Sequence, residues 1–132
     1  MSEAMHARAA ANLYRRVHIE SASQSRILDE LFVTLLADLD EAERLIQARD
    51  AAGKGAVINH ALAILATLRG ALHSQTAPAL CEDLGRLYDF CSSRLFDANL
   101  RFDIDPLREA RTVLRPVREA FAAAIASAPH GG

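Results

Sequence analysis

The sequence predicts an all-α protein: an antiparallel four-helix bundle preceded by a short N-terminal helical segment that is either docked or mobile. Three observations carry this prediction. Apolar residues recur at three-and-four spacing through four successive long stretches. The 51% of residues that are hydrophobic are mostly Ala and Leu, with aromatics at 5% and no Trp, which suits closely packed helices better than sheets. No stretch shows the strict alternation of a strand. At 132 residues the chain is expected to form one domain. A chain of that length buries about two-thirds of its unfolded surface, so folding requires neither a metal nor a disulfide. The expected division is an N-terminal segment over 1–22, the bundle over 23–127 and a frayed tail over 128–132.

Residues 4–17 can form a short helix with Ala10, Leu13, Tyr14 and Val17 on one face. Being short and Ala-rich, it needs docking to be ordered. In the run Ser21–Ser25, Ser23 or Ser25 can cap the first long helix. That helix is expected from about Ser25 to Asp50. Its stripe is Leu28, Leu31/Phe32, Leu35, Leu39, Ala42 and Leu45/Ile46, with Asp38, Asp40, Glu43 and Arg49 facing away. Gly53-Lys54-Gly55 should end it, since glycine takes the left-handed cap conformation. A second helix, about Ala56 to His73, has Val57/Ile58, Ala61/Leu62, Ile64/Leu65, Leu68 and Leu72 around much of its circumference and almost no charge. Such a helix is either central or keeps a face for a partner.

A turn at Ser74–Pro78 leads into the third helix, Pro78 to Phe102. Its stripe is Leu84, Leu87/Tyr88, Cys91, Leu95, Ala98 and Phe102, widened by Phe90, Phe96 and Leu100. Asp103-Ile104-Asp105-Pro106 punctuates the chain, with Asp105 as cap and Pro106 at the first helical position. The fourth helix shows Leu107, Ala110, Val113/Leu114, Val117, Ala120/Phe121 and Ala124/Ile125. Pro116 lies inside it but off the stripe. An interior proline costs ~3 kcal/mol or a kink, so one bent helix is expected.

Composition excludes several functions. A net charge of −2 gives no electrostatic case for nucleic acid or an anionic membrane. Cys81 and Cys91 stand ten positions apart in one helix. That is about 15 Å, beyond disulfide reach. Two thiols in a helical core, no signal-peptide pattern and no run of ~18 apolar residues lead to the expectation of a cytoplasmic protein without membrane insertion. The Glu-x-x-His spacing of di-iron bundles occurs at Glu3–His6 without a counterpart, so no metal is expected. His60 lacks the adjacent cation of a phosphotransfer histidine and reads as a solvated or partly packed helix residue. The arginines from Arg101 to Arg118 read as solvated faces. Without a depressed thiol, a phosphate loop or a nucleophile motif, no catalytic, cofactor-binding or metal-ligating residue is expected. The chain reads as a binding protein.

Asp83-Leu84-x-x-Leu87-Tyr88-Asp89-Phe90, continuing to Arg94-Leu95-x-x-Ala98-Asn99-Leu100-x-x-Asp103, resembles the most distinctive pattern of the flagellar secretion chaperone family FliS. Lys54-Gly55 with Ala61, Ile64 and Leu65 resembles the start of that family's second helix. Tyr14, Val17 and Glu20-Ser21-Ala22 resemble its N-terminal segment. Departures include Gln24 for a usual Pro, Cys91 for Met, Phe121 for Trp, Val33-Thr34 for an acidic-Gly pair, and Pro116. The resemblance implies a cytoplasmic four-helix bundle, not an enzyme. It would bind the disordered C-terminal segment of flagellin, prevent premature polymerisation and deliver it to the type III export apparatus.

Partner-binding residues expected on this basis are Tyr14, Ile58, Leu62, Leu65, Tyr88, Leu95 and Asn99. Asn99 would bond the partner's backbone or cap a contact inside the bundle. The family's matching tyrosine lies in a mobile segment implicated at the export gate, so Tyr14 would cover the surface and dock there, or pack permanently on the bundle. The alternative function is a homodimeric regulatory adaptor without flagellin binding, and the free chaperone could also dimerise.

Overall fold

The structure, a computed structural model, describes residues 22–72 and 78–127, without the side chains of residues 22–25, Ala124 and Ser127. The expected helix over 4–17, Tyr14, the turn after Ser74 and the tail lie outside the described residues. Four helices follow in order: α1 (Ala22–Gln47), α2 (Ala51–Gly70), α3 (Pro78–Arg101) and α4 (Asp105–Ser127). No strand occurs among the described residues. Each helix packs against two others, α1 on α2 and α4, and α3 on α2 and α4, closing a four-membered ring. The expected four-helix bundle is the architecture found.

The core is the set of stripes turned inward. Leu35, Leu39, Ile58, Leu65, Leu84, Leu95, Leu107, Leu114 and Val117 are fully buried. Phe32 of α1 joins three helices, its ring lying 6.3 Å from that of Tyr88 on α3 and 5.4 Å from that of Phe121 on α4. α2 is long and apolar enough, by length and composition, to cross a membrane. Here its inner face, Ile58, Ala61, Ile64, Leu65 and Leu68, is instead part of the bundle core. α4 runs through Pro116 as one helix.

The helix ends correct several expectations. α1 starts at Ala22, so Ser23 and Ser25 fall inside it rather than before it. It ends at Gln47, and the reversal uses Arg49, whose φ is 61°. The Arg49 amide donates to the Ile46 carbonyl (3.0 Å) and the Asp50 amide to that of Leu45 (2.9 Å), the paired bonds of a Schellman cap. Gly53-Lys54-Gly55 does not end α1; it lies within the first two turns of α2. Asp50 is the N-cap, accepting from the Gly53 amide at 2.9 Å, and a strong cap three residues upstream outweighs glycine's helix-ending tendency. α3 also ends at a left-handed residue, Phe102 (φ 55°), where the Asp103 amide donates to the Ala98 carbonyl at 3.2 Å. Asp105 is the first residue of α4 rather than its cap, and its amide is taken by the Asp103 carboxylate at 3.0 Å.

The α1–α4 seam is closed by ion pairs that periodicity assigned to water. Arg118 reaches Asp29 through two bonds of 3.0 and 3.2 Å. Arg108 and Arg111 both bond Glu43, and Arg111 also reaches Asp40 at 3.0 Å. Partner numbers fall on α4 as they rise on α1, which is the antiparallel register. Glu43 and Arg111 are 18% and 15% exposed, so this pair is shielded well beyond an ordinary surface bridge.

Two outcomes are expected. A Cβ at Gly53 would lie 2.6 Å from Asp50 Oδ2, whereas one at Gly55 meets nothing within 4 Å. Gly55→Ala should therefore stabilise by about 0.5–1 kcal/mol in urea unfolding. Gly53→Ala should fall short of that gain by about 1 kcal/mol because the cap is displaced; equal gains would show the cap to carry no weight. The second concerns acid. Hydrogen bonds from Arg108, then Arg111, hold the Glu43 carboxyl below its ordinary 4.5. A carboxyl depressed in the folded state adds stability above its unfolded pKa and loses it as pH falls through the folded one. The urea midpoint should drop between about pH 5 and about pH 3, and Glu43→Gln should flatten part of that drop.

Candidate partner-binding face

Two rows of residues flank the α2–α3 seam. On α2 the row is Gly55, Leu62 and Arg69, seven apart; on α3 it is Asp89 and Phe96, with Leu100 one turn further. Arg69 joins the rows at one end with a two-bond pair to Asp89, at 2.8 and 2.9 Å. Arg69 holds the Asp89 carboxyl below its usual range, mainly through this hydrogen bond. The guanidinium lies over Gly85, where a Cβ would come within 3.1 Å of it. With the helices antiparallel, the pair sets Leu62 level with Phe96. Leu62 is half-buried, while Phe96 and Leu100 are 62% and 84% exposed.

The outer side of α2 continues this surface. Ala52, Ala56, Asn59, Ala63, Ala66 and Gly70 are all exposed, and no charged residue stands between Lys54 and Arg69 apart from the titratable His60. His60 is no lone phosphoacceptor; its Nδ1 pairs with Asp38 Oδ2 on α1. Phe90, also exposed, stands at the other edge of α3 under Arg94, which reaches Glu109 on α4 at 3.7 Å.

At the far end of the seam Lys54 is buried, 8% exposed. Its Nζ donates to the Asn99 carbonyl (2.7 Å) and to Asn99 Oδ1 (2.8 Å) and stands 4.3 Å from the Phe102 ring centroid. Of the two roles open to Asn99, its oxygen atoms perform the internal one. Sequence reasoning missed Lys54, although a signal was there: it shares a helical face with Ile58, Ala61 and Leu65.

The expected partner-binding residues divide accordingly. Ile58, Leu65, Tyr88 and Leu95 lie inside the bundle, at 0–2% exposure, where they shape the face from beneath. Leu62 and Asn99 are half-buried at the seam, and Tyr14 lies outside the described residues. Phe96 and Leu100, read from the sequence as widening the helix face, are the large apolar groups α3 presents beside α2. The buried thiol of Cys91 is pushed up to about 12 by desolvation, which leaves it inert at neutral pH. No cluster of three or more His, Cys, Asp or Glu suited to a metal ion occurs among the described residues.

A family model described as the flagellar protein FliS matches residues 6–128. The chain belongs to the FliS family. It is 29% identical over 128 residues to the flagellar secretion chaperone FliS of Escherichia coli K12, spanning 93% of this chain and 94% of that protein. It is 31% identical over 121 residues to the flagellar secretion chaperone FliSB of Pseudomonas aeruginosa PAO1, spanning 89% of this chain and 96% of that one. Similarity to the Salmonella typhimurium LT2 chaperone FliS is 28% identity over 113 residues, spanning 82% and 84%. These relatives are named as chaperones rather than enzymes.

Burial separates scaffold from surface in this FliS protein, and stability measurements can check the division. Leu95→Ala should cost about 2–5 kcal/mol in urea unfolding. Leu100→Ala, at an exposed position, should change stability by no more than about 0.5 kcal/mol.

Proposed function

We propose that this FliS protein is a cytoplasmic export chaperone that binds the disordered C-terminal segment of flagellin, blocks its premature polymerisation and delivers it to the flagellar type III export apparatus. The observation that carries the reading is the exposed apolar row Phe96–Leu100 beside the charge-poor outer face of α2, in a chain of the flagellar secretion chaperone family. An amphipathic segment that is disordered when free can fold its apolar side onto such a face, the helix-in-groove mode of recognition. The small side chains on α2 let a partner backbone approach closely. Leu62, Phe96 and Leu100 supply the bulk, and Arg69–Asp89 and Asn99 mark the polar ends of the seam. The remaining expected site residues, Ile58, Leu65, Tyr88 and Leu95, act as the packed support of this face. Tyr14 belongs to a segment that would dock at the export gate.

Titration of the protein with the flagellin C-terminal segment should give a one-to-one complex by calorimetry. Replacing both Phe96 and Leu100 with Ser should weaken it at least about tenfold, since each buried side chain is worth roughly 1.5–3 kcal/mol. Unfolding of the variant should be unchanged. Equal affinity for flagellin lacking that segment would overturn the reading. A concentration-independent dimer without flagellin binding would favour the homodimeric adaptor instead.

A further inference from the structure

The core of this bundle contains one full charge among the described residues, that of Lys54, and no carboxylate neutralises it. Its partners are the Asn99 carbonyl, Asn99 Oδ1 and the Phe102 ring face. Each is an electron-rich group, and two hydrogen bonds and a π face occupy the three donor directions of an ammonium. The Asn99 carbonyl is also one of the last four of α3, which have no acceptor role within the helix and carry the negative end of its dipole. Lys54 therefore caps α3 from another helix.

The capped turn is a strained one. Phe102 sits at φ 55°, a left-handed conformation that side-chain-bearing residues avoid, and the next amide, of Asp103, closes the turn onto Ala98. Its ring is one of the groups Lys54 contacts. The ammonium thus touches both the carbonyl preceding Leu100 and the residue that reverses the chain just after it. Leu100 lies within this turn on the outer side, and Phe96 one turn earlier.

We propose that Lys54 is a positioning residue for the partner-binding face. By holding Asn99 and Phe102 it keeps the last turn of α3 wound, and so keeps Leu100 and Phe96 in register with the outer side of α2. This rests on the reading of that face as the flagellin site. Lys54 acts from beneath, without touching the client.

The test compares amide hydrogen exchange with affinity for the flagellin C-terminal segment in the full chain. Lys54→Met keeps most of the length of the side chain and removes its charge and donors. It should speed exchange at Asp103 about tenfold more than at Cys91 in the middle of α3, and weaken segment binding about tenfold. Val117→Ala, a core truncation on α4, should lower overall stability and leave segment affinity unchanged. Should Lys54→Met fail to fold, Asn99→Ala removes one acceptor and leaves α2 intact, with the same two readouts expected.

Unchanged exchange at Asp103 would overturn the proposal. So would faster exchange with unaltered affinity, or a loss of affinity in Val117→Ala as large as in Lys54→Met. If the unsubstituted protein does not bind the segment, the flagellin reading fails and with it the positioning role, while the exchange data still decide whether Lys54 holds the end of α3.

Discussion

Moving a lysine ammonium out of water costs more than a single neutral hydrogen bond returns. Lys54 can stay buried only while its acceptors are held in place around it. Those acceptors belong to α3, and the lysine belongs to the first full turn of α2, so the condition ties the start of one helix to the end of the other. It also dictates how the α1–α2 turn is built. Lys54 must already be helical, so α2 has to begin upstream of it, and Asp50 provides that beginning by capping onto Gly53. A reversal at Gly53-Lys54-Gly55 would carry Lys54 out of the helix that buries it. Among the described residues the non-glycine left-handed ones, Arg49 and Phe102, lie at the two turns this arrangement joins.

The other seams are held differently, and the difference bears on function. α1 and α4 are joined by arginine–carboxylate pairs along most of their length, including the shielded Glu43–Arg111 contact. α2 and α3 have Arg69–Asp89 at one end and Lys54–Asn99 at the other, with Leu62, Phe96 and small residues between. Charged pairs on the first seam keep that side wetted. The second seam keeps its apolar residues at the surface without needing them for stability, because the core beneath is already filled by Ile58, Leu65, Tyr88 and Leu95. Residues presented on such a seam can vary with little penalty to the fold.

Helix number, order and inner stripes were legible because a buried helix repeats its apolar residues at fixed spacing, whatever the partner helix is. The stripe Leu84, Tyr88, Cys91, Leu95 and Ala98 on α3 is a single face, and all of it is buried. Periodicity alone places Tyr88 and Leu95 in the core; family resemblance drew them toward the partner surface, and packing returned them. Periodicity places charged residues on the outside by default, so it could not show which of them find a cation across a seam. Glu43 and Arg108 are 65 positions apart in the chain and meet only because α1 and α4 are antiparallel neighbours. Helix ends were less legible, because an Asp cap and two glycines compete over six residues and the tertiary fate of Lys54 decides between them.

The arithmetic of the exposed face limits what a client must bring. Phe96 and Leu100, fully covered, would contribute about 3–6 kcal/mol together. Micromolar affinity needs about 8 kcal/mol, and a segment that orders as it binds loses a further 2–5 kcal/mol or more. Two side chains therefore cannot hold a disordered segment by themselves. On the function proposed above, the balance would come from Leu62 and from close backbone approach along the small residues from Ala52 to Gly70, a length of α2 that spans about 27 Å. A client that covers this row and the α3 turn must lay down several helical turns or an equivalent extended stretch. That requirement favours a long, apolar-faced segment over a short linear motif, and it makes the fixed register of Leu100 against α2 matter more than the area of any one residue.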